Sequence, residues 1–544
     1  MNLKSWVTDA HERLFPVGNT VRTEPLVLDA ARGERLAFQA AVAFGADADA
    51  PEVVTIEAAA EAPGLDVRIR RVGFVPMAHH NTETPDDELD CLGHVPGYVP
   101  DPLFDETQAV LCRRETVAFW LTVDVPADCP PGDHVVAVNL GALTTPEPTP
   151  LAPLHATIRV QNVQIQPRRG FPVVQWFYND GILDWYGLKP FEEAFWTRVE
   201  PYMRNLVEHG QDTIYAPVFT PPLDGVKRPT QLLKVTRTGP DAYAFDWEDV
   251  KRYVDLAAAC GIRNVEWTHL FTQWGAKHAI RIYDGQGVDG QLLWPPETTA
   301  TSDTYRAFLA QFLPEFKAFL DREDLLDRSF FHVSDEPHGD EHRANYTAAR
   351  ELLRELAPWM KTLDALSEIE YGRQGLTDMP VPSISVTRQY REEGIPCFTY
   401  FCCGPRGRYL NRLMDTPLAK MRMLGWLCYR FEVLGFLHWG YNYWQRRAQV
   451  ELIDPFTEQA AGAWPGWAYG DTFLVYPGPD GPIDSIRWEI FAESLQDYAL
   501  LQTLGIRPDD PRLDVFVDFD QFPKQVGWLR AMRRELLEAA ARNG

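Results

Sequence analysis

The feature that most constrains the fold is an alternation of strand-like and helix-like segments that begins after residue 170. Short apolar runs predict strands, and longer runs with apolar residues three or four positions apart predict helices. Strand candidates lie at 172–178, 213–219, 264–271, 329–335, 361–367, 381–387, 396–403 and 435–444, and helical patterns include 191–209, 246–260, 303–321, 341–357 and 416–432. Eight strands with intervening helices predict an α/β fold, a TIM-like (β/α)8 barrel. A doubly wound sheet is the alternative, but its glycine-rich phosphate turn has no counterpart here.

The first part of the chain has a different pattern. Strand-like runs at 26–44, 66–77, 116–126 and 134–140 are separated by Gly, Pro and Asp, without helical periodicity. Several closely spaced strands of this kind predict a β-sandwich. We therefore expect an N-terminal β-sandwich domain at 1–167, followed at 168–544 by the barrel and its C-terminal closing helices.

Composition argues against several classes of partner. The chain has 544 residues, of which 77 are acidic and 52 are basic, and its net charge of −25 disfavours nucleic acid and anionic membranes. No run near the N-terminus has the length of a signal peptide, and no segment approaches that of a transmembrane helix. The sequence therefore predicts a cytoplasmic protein without a membrane partner. The sequence does not decide whether the protein forms a homo-oligomer.

Cysteine and histidine patterns give no metal site. The eight cysteines lack C-x-x-C spacing, so neither a disulfide framework nor a zinc site is predicted. Cys402 and Cys403 are expected in a buried strand, as two small apolar residues. His338 and His342 have i, i+4 spacing, but they lie in a polar helix start, which favours solvated surface.

Two adjacent carboxylates end the fourth strand candidate, in the stretch SFFHVSDEPHGD at 329–340. The carboxyl ends of barrel strands carry the active site in this fold, which makes Asp335 and Glu336 catalytic candidates. The alternative is that they only cap the following helix, since acidic residues favour helix N-termini. Asp471 and Arg487, further along the chain, are interpreted as a structural salt bridge.

The other strand ends contribute aromatic, amide and imidazole side chains. Such a set suits a sugar, because aromatic faces stack on the ring while polar groups bind its hydroxyls. Aromatic residues on strands are also common core filling, and that alternative stays open. The candidate substrate-binding residues are Trp176, Asn179, Trp267, His269, Tyr400, Trp439, Tyr441 and Trp444. For Tyr400 we expect a hydrogen bond to an acetamido oxygen opposite Asp335.

The adjacency of the two acids indicates a mechanism. Retaining glycosidases with a carboxylate nucleophile hold their two carboxyl groups ~5 Å apart across the anomeric carbon, and neighbours on one strand are poorly placed for this. They suit substrate assistance, in which Glu336 protonates the glycosidic oxygen. Asp335 then orients a 2-acetamido group that attacks the anomeric carbon and forms an oxazoline-type intermediate. No metal or cofactor is required.

Three motifs resemble glycoside hydrolase family 123 and its uncharacterised relatives. They are FFHVSDEP, RGERLAFQAAV near the N-terminus, and YGDTFLVYPG…GPIDSIRWEIFAESLQDYALL near the C-terminus. The resemblance implies a β-sandwich before a (β/α)8 barrel and an exo-acting, retaining β-N-acetylgalactosaminidase. It also implies that Asp335 polarises the acetamido group and that Glu336 is the general acid/base. The expected partner is a small oligosaccharide or glycoside.

Two alternatives remain open from the sequence. The first is a glycosidase for a sugar without an acetamido group, which would use Asp335 or a more distant acid such as Glu266 as its nucleophile. The second is a non-catalytic carbohydrate-binding protein that retains the barrel.

Overall fold

The computed structural model describes residues 2–46, 51–80, 82–90, 97–143, 149–222, 228–287, 290–447, 449–462 and 466–543. Within these ranges, no helix combines the length and the apolar character needed to cross a membrane.

The N-terminal part of the chain consists of strands in two sheets that share one core. The strands are β1 (Leu3–Asp9), β2 (Leu26–Arg32), β3 (Arg35–Phe44), β4 (Val53–Glu61), β5 (Asp66–Met77), β6 (Gly97–Phe104), β7 (Gln108–Cys112), β8 (Thr116–Asp124), β9 (Gly132–Leu143), β10 (Thr149–Pro150) and β11 (Leu154–Gln164). One sheet has the order β1-β3-β8-β5-β6, and the other has β2-β11-β9-β4-β7 with β10 beside β9. Only the β2–β11 pair among these strands is parallel. Phe38 and Phe119 of the first sheet pack in one buried cluster with Ile56 and Ile158 of the second.

The C-terminal part alternates short strands with helices. Its strands are β12 (Val173–Gln175), β13 (Thr213–Ala216), β14 (Lys234–Gly239), β15 (Ala242–Asp246), β16 (Asn264–Trp267), β17 (Ser329–Phe330), β18 (Leu363–Ala365), β19 (Met379–Val381), β20 (Thr399–Tyr400), β21 (Phe436–His438), β22 (Tyr476–Pro477) and β23 (Pro482–Ile483). Its helices are α1 (Asn179–Trp185), α2 (Glu193–Glu208), α3 (Glu248–Cys260), α4 (Asp303–Arg322), α5 (Gly339–Leu356), α6 (Ile369–Arg373), α7 (Ile384–Glu392), α8 (Leu418–Met421), α9 (Leu424–Arg430), α10 (Ile486–Thr503) and α11 (Val526–Asn543).

Six of these strands form a parallel sheet in the order β17-β16-β13-β12-β21-β20. β18 and β19 form a separate parallel pair. Single bridges join the pair to the sheet edges, from Thr362 to Phe331 beside β17 and from Ser383 to Tyr400 in β20. The chain is therefore a mixed α/β protein with a sheet-rich N-terminal region and a half-barrel sheet.

The strand prediction at 381–387 is largely wrong. β19 ends at Val381, and α7 occupies most of the predicted range. The Ser383 hydroxyl accepts a hydrogen bond from the backbone N–H of Ser385 and begins the helix. Ile384, Thr387 and Tyr390 then bury one face of α7. Val381, Ile384, Val386 and Thr387 are β-branched, and this composition, which is typical of strands, led to the strand prediction.

The last two helices connect the two parts of the chain. α10 packs beside β6, where Asp101 forms an ion pair with the buried Arg487, with oxygen–nitrogen distances of 2.9 and 3.0 Å. α11 lies against β2 and β11, and its Arg533 contacts Glu34. Arg487 therefore pairs with Asp101, which corrects the interpretation of Asp471 as its partner.

Candidate active site

The chain segment after β17 delivers Asp335 and Glu336. It is held to the neighbouring strand by Asp364 of β18, whose Oδ1 accepts hydrogen bonds from the backbone N–H groups of Val333 and Ser334, at 2.9 and 3.3 Å. The backbone N–H of Glu336 donates to the carbonyl of Ala365 at 2.9 Å. The two acids are thereby fixed at the carboxyl end of the parallel strands.

Backbone geometry explains how adjacent side chains share one pocket. Successive residues of an extended strand point to opposite faces. Glu336 has φ +44°, in the left-handed region that non-glycine residues seldom adopt. This turn ends the strand alternation, and both Asp335 and Glu336 line the same pocket. Strain of this kind costs on the order of 1–3 kcal/mol and is concentrated at functional sites.

The pocket is open to solvent, and its space, including the part continuous with solvent, amounts to about 570 Å³. It combines two adjacent acids and a third carboxylate with aromatic rings and two thiols. Its lining consists of Trp176, Gln273, Trp274, Asp335, Glu336, Ala365, Tyr400, Cys402, Cys403, Leu437, Trp439, Trp467 and Asp471.

The two adjacent acids have different surroundings. Asp335 is only 4% exposed, and its Oδ2 accepts a hydrogen bond from Gln273 Nε2 at 2.9 Å. Glu336 is more exposed, and its Oε1 accepts from the Tyr400 hydroxyl at 2.6 Å. Burial, and then the charge of Glu336, raise the pKa of Tyr400 well above its ordinary value. Tyr400 is therefore a hydrogen-bond donor at every physiological pH.

Aromatic side chains line the pocket together with the acids. Trp439 Nε1 donates to Asp471 Oδ2 at 3.0 Å, and its ring lies 5.1 Å from that of Trp467, between centroids. Trp274, 46% exposed, lies at the rim, and its backbone N–H donates to the Asp335 carbonyl at 2.8 Å. An acid pair facing aromatic rings can protonate a leaving oxygen while a sugar ring stacks opposite.

A buried ionic cluster supports the pocket from behind. Trp176 Nε1 donates to Glu266 Oε1 at 3.0 Å, and the same oxygen contacts His332 Nε2. Burial lowers the pKa of His332, but Glu266 and Asp364 outweigh it and raise the value to about 9. His269 stacks on His332 at 4.1 Å, and burial followed by the charge of His332 lowers its pKa well below the ordinary value. His332 is thus an imidazolium beside a neutral imidazole.

Three of the eight predicted substrate contacts line the pocket, namely Trp176, Tyr400 and Trp439. The other five lie outside its lining, and their role as substrate contacts stays a prediction. Their side chains are buried among protein groups instead: Asn179 at the start of α1, Trp267 against Phe316, His269 against His332, Tyr441 with its hydroxyl on Asn205, and Trp444 with its indole on the Val475 carbonyl.

Several lining residues were missed or misinterpreted from the sequence. Gln273, Trp274 and Trp467 come from irregular segments, which periodicity does not address. Cys402 and Cys403 follow β20 and are partly exposed, which corrects their expected place in a buried strand. Asp471 lines the pocket, whereas the sequence favours a structural salt bridge over a hydroxyl-binding role for it. In the sequence, the aromatic residue Trp467 and the acidic residue Asp471 were the signals by which these two lining residues could have been identified.

Two groups of potential metal ligands occur among the described residues, and both are buried outside the pocket lining. They are His269, His332 and Asp364, and His209, Asp484 and Glu489. Each already balances its charge with protein groups, since His332 contacts two carboxylates and Arg70 contacts both Asp484 and Glu489. His338 and His342 belong to neither group, and His342 Nδ1 accepts the His338 backbone N–H at 3.1 Å.

Comparison with known proteins decides the family. A model of the glycoside hydrolase 123 catalytic domain matches residues 176–504, more than half of the chain. The chain belongs to glycoside hydrolase family 123. It is a glycoside hydrolase, and every residue that lines the pocket lies within the matched range of family 123.

Solved structures agree with this assignment. A family 123 glycoside hydrolase from Clostridium perfringens, described for glycolipid glycan hydrolysis, shares the fold with a TM-score of 0.72 at 13% identity, over 92% of this chain and 89% of that one. A termite-gut GH10 xylanase with an Ig-like domain (10% identity, 70% and 90% coverage) and a Dictyoglomus thermophilum β-D-glucuronidase (8%, 90% and 97%) reach TM-scores of only 0.32. No curated protein sequence matches this family 123 member significantly.

Proposed function

We propose that this glycoside hydrolase is a retaining, exo-acting enzyme that releases terminal β-linked N-acetylgalactosamine, or a related N-acetylhexosamine, by substrate-assisted catalysis. The observation that carries the proposal is the adjacent pair Asp335 and Glu336, which face one aromatic pocket through separate hydrogen-bond partners. Neighbouring acids with different partners suit two different tasks on one sugar.

In the proposed mechanism, Glu336 acts on the leaving group. It donates its proton to the glycosidic oxygen while the acetamido carbonyl oxygen attacks the anomeric carbon. The glycosidic bond breaks, the leaving group departs as an alcohol, and an oxazoline-type intermediate remains. Glu336 then takes a proton from a water molecule that attacks the same carbon, which regenerates the acetamido group and releases the sugar with retained configuration.

Asp335 has the proposed task of orienting the acetamido N–H and stabilising the positive charge that develops on the oxazoline ring. Its burial supports this task, because a carboxylate acts more strongly on a nearby charge where water is excluded. Gln273 fixes one carboxylate oxygen, which leaves the orientation of the group defined before substrate binds. In the structure the Tyr400 hydroxyl donates to Glu336, so its predicted contact with the acetamido oxygen would need a change of partner.

The substrate is proposed to extend beyond the pocket. A second groove of about 900 Å³ shares Gln273 and Trp274 with the pocket and is also lined by Thr220, His278, Arg281 and Tyr283. We propose that it receives the glycan that leaves. The Clostridium perfringens enzyme is described for glycolipid glycans, and we propose a glycan of that class here.

The fold supports this arrangement if the strands act as one barrel. The bridges at Thr362 and Ser383 connect β18 and β19 to the two edges of the six-stranded sheet, and we propose that the eight strands form a (β/α)8 barrel. The domain division at 167/168, the cytoplasmic location and any homo-oligomer stay predictions.

The competing assignment is a glycosidase for a sugar without an acetamido group. Glu266 is a poor nucleophile for it, since its carboxylate is fully buried between Trp176 and His332. Asp471 lines the pocket and would be the carboxylate to test. Matched aryl β-N-acetylgalactosaminide and aryl β-galactoside substrates separate the two mechanisms.

The deciding experiment measures aryl release from both substrates. We expect release only from the acetamido substrate, and a fall of at least a hundredfold in Glu336→Gln, because general acid catalysis contributes about 10²–10⁴ in rate. Glu341→Gln, the same change at an exposed position of α5, should retain activity. Equal rates on both substrates, or an active Glu336→Gln enzyme, would contradict the proposal.

A further inference from the structure

Two adjacent thiols lie in the wall of the pocket. The sulfur atoms of Cys402 and Cys403 are 3.8 Å apart, and both side chains are partly exposed. Among the cysteines that the structure describes, Cys129, Cys260, Cys397 and Cys428 are buried, and Cys112 is partly exposed on β7. The mechanism proposed above uses neither thiol.

The loop that carries the two thiols is fixed by side chains. Arg406 Nε donates to the Cys403 carbonyl at 2.7 Å. Asn411 Nδ2 donates to the carbonyls of Cys402 and Pro405, at 3.0 and 2.9 Å. Both sulfurs are therefore held at the pocket wall.

Their environment favours reaction at Cys403. A hydrogen bond from the Cys402 thiol and the charge of the Arg406 guanidinium outweigh burial and the charge of Glu336, and together they lower the pKa of Cys403 to about 7. The thiolate is the reactive form, so a large fraction is ready at neutral pH. Burial instead raises the pKa of Cys397 to about 12, and it raises the pKa of Cys112 as well.

We propose that Cys402 and Cys403 form a modification site for soft electrophiles inside the active-site pocket, at which a trivalent arsenical bridges both sulfurs and an alkylating agent reacts with Cys403. Either adduct blocks hydrolysis. The loss of activity rests on the proposed function of the pocket, whereas the binding of the reagents does not.

Neither the alkylation nor the reaction with the arsenical requires an oxidant. In alkylation by iodoacetamide, the Cys403 sulfur forms a bond to the methylene carbon, iodide leaves, and the thiol proton goes to solvent. With phenylarsine oxide, two sulfur–arsenic bonds form, and the oxide oxygen leaves as water with both thiol protons. A thiolate bond to zinc is ~2.3 Å, and two bonds of this length at a near-tetrahedral angle place their sulfurs ~3.8 Å apart, which matches the separation of Cys402 and Cys403.

Blocking follows from the position of the sulfurs. Cys402 and Cys403 line the same 570 Å³ pocket as Glu336. In the proposed mechanism this pocket must hold a sugar ring during catalysis. A phenylarsenic group on the two sulfurs would occupy part of that space. A sugar bound in the pocket would in turn shield the two thiols from the reagents.

The test treats the full-length protein with each reagent and combines intact mass, peptide mapping and aryl release. We expect one phenylarsenic group per chain, on the peptide with Cys402 and Cys403, and one carbamidomethyl group that appears first on Cys403. Activity should fall in proportion to the fraction of chains that carry an adduct. Added N-acetylgalactosamine should slow both the formation of the adduct and the loss of activity. The alkylation rate should rise with pH as the thiolate forms, reach half of its maximum near pH 7 and level off at higher pH.

Matched variants make the test specific. Cys403→Ser, or Cys403→Ala if the first does not fold, should lose the arsenical adduct, and the ratio of treated to untreated activity should approach one. Cys112→Ser should remain as sensitive as the wild type. Faster labelling at Cys112, or no adduct on the pair, would overturn the proposal. An adduct on a protein that never hydrolyses the aryl substrate would leave the thiol site standing and contradict the proposed function instead.

Discussion

Gln273 holds the more buried of the two acids, and it was not evident from the sequence. Its amide donates to Asp335 Oδ2, while its backbone belongs to the irregular segment after β16. A side chain that fixes a catalytic group acts on the rate more than on substrate affinity. Gln273 is thus a positioning residue in the proposed mechanism.

Replacing Gln273 by Glu should lower kcat for an aryl β-N-acetylgalactosaminide by a hundredfold or more. The new carboxylate cannot donate to Asp335 and places a like charge beside it. Gln273→Ala removes only the donor, so its effect should be smaller, about tenfold for a loss of ~1.4 kcal/mol. Steady-state kinetics measures both effects. A fully active Gln273→Glu enzyme would show that Gln273 has no positioning role in the mechanism.

His332 should make stability depend on pH above neutrality. Its pKa is about 9 in the folded protein against an ordinary value of 6.5, because Glu266 and Asp364 outweigh burial. The stabilising contribution is complete below pH 6.5 and is lost as the pH rises through about 9. The difference corresponds to on the order of 3 kcal/mol.

Urea unfolding at several pH values measures this contribution. The free energy of unfolding should decrease between pH 6.5 and 9 in the wild type, and this part of the decrease should vanish in His332→Gln. His155→Gln, at an exposed position of β11, should keep the wild-type slope. An unchanged slope in His332→Gln would show that His332 does not change charge over this range.

At the residue scale, the sequence predicted the position of Asp335 and Glu336 in the pocket better than it predicted the residues around them. Asp335 and Glu336 follow a strand, and strand ends meet at one edge of a parallel sheet. Strand position did not separate the aromatic candidates: Trp267 lies within β16 but outside the pocket lining, whereas Trp176 and Trp439 lie one residue past β12 and β21 and line it. Trp444 lies six residues beyond the end of β21, so alternation along a strand no longer indicates which way it points.

The loop Thr272–Ala276 is the element that shapes the pocket entrance. It carries Gln273 and Trp274, and it approaches α5 at Gly275, which has φ +102°. A Cβ atom built there would lie 2.4 Å from Cγ of His342. Only glycine allows this contact with the first turn of α5, which itself follows Asp335 and Glu336.

Gly275→Ala should therefore reduce both stability and activity. The left-handed conformation costs roughly 1–2 kcal/mol, and the close contact adds about 1–3 kcal/mol more. Gly187→Ala is the matched control, because Gly187 has φ +64° with no atom near the added Cβ. Thermal unfolding should separate the two variants, and only Gly275→Ala should raise KM. Equal effects would show that the contact with His342 is unimportant.

At the element scale, helices were easier to predict than strands. The patterns at 246–260 and 303–321 match α3 and α4 closely, because their amphipathic faces span several turns. The parallel strands of the C-terminal part have only two to four residues, too short for a period of two to be distinct. The segment at 361–367 does contain β18, but its neighbour β19 is followed at once by α7.

The two parts of the molecule are joined by buried charges. Arg70 of β5 contacts Asp484 and Glu489, each at 2.6 Å, and Thr122 at 2.8 Å. Burial opposes ionisation of Glu489, but Arg70 and Arg35 hold its pKa well below the ordinary value. Such contacts between distant segments leave no trace in local sequence patterns, which is why the sequence could not predict them.

Arg70→Leu should destabilise the protein by about 3–5 kcal/mol, because it leaves two buried carboxylates without this partner. Arg68→Leu, on the same strand, removes a half-exposed arginine that is 3.4 Å from Asp105 and should cost less than about 1 kcal/mol. Urea unfolding followed by tryptophan fluorescence compares them. Similar losses in both variants would mean that the buried contacts contribute no more than surface ones.

The packing of α11 on β2 and β11 has a consequence for biosynthesis. The ribosome makes α11 several hundred residues after those strands, because α11 follows all the other helices and strands described here. Until then, the partners that Arg533 and Arg534 provide for Glu34 and Asp29 are missing. We expect the nascent N-terminal sheets to remain open to chaperones, and to become resistant to protease only when the last helix is released.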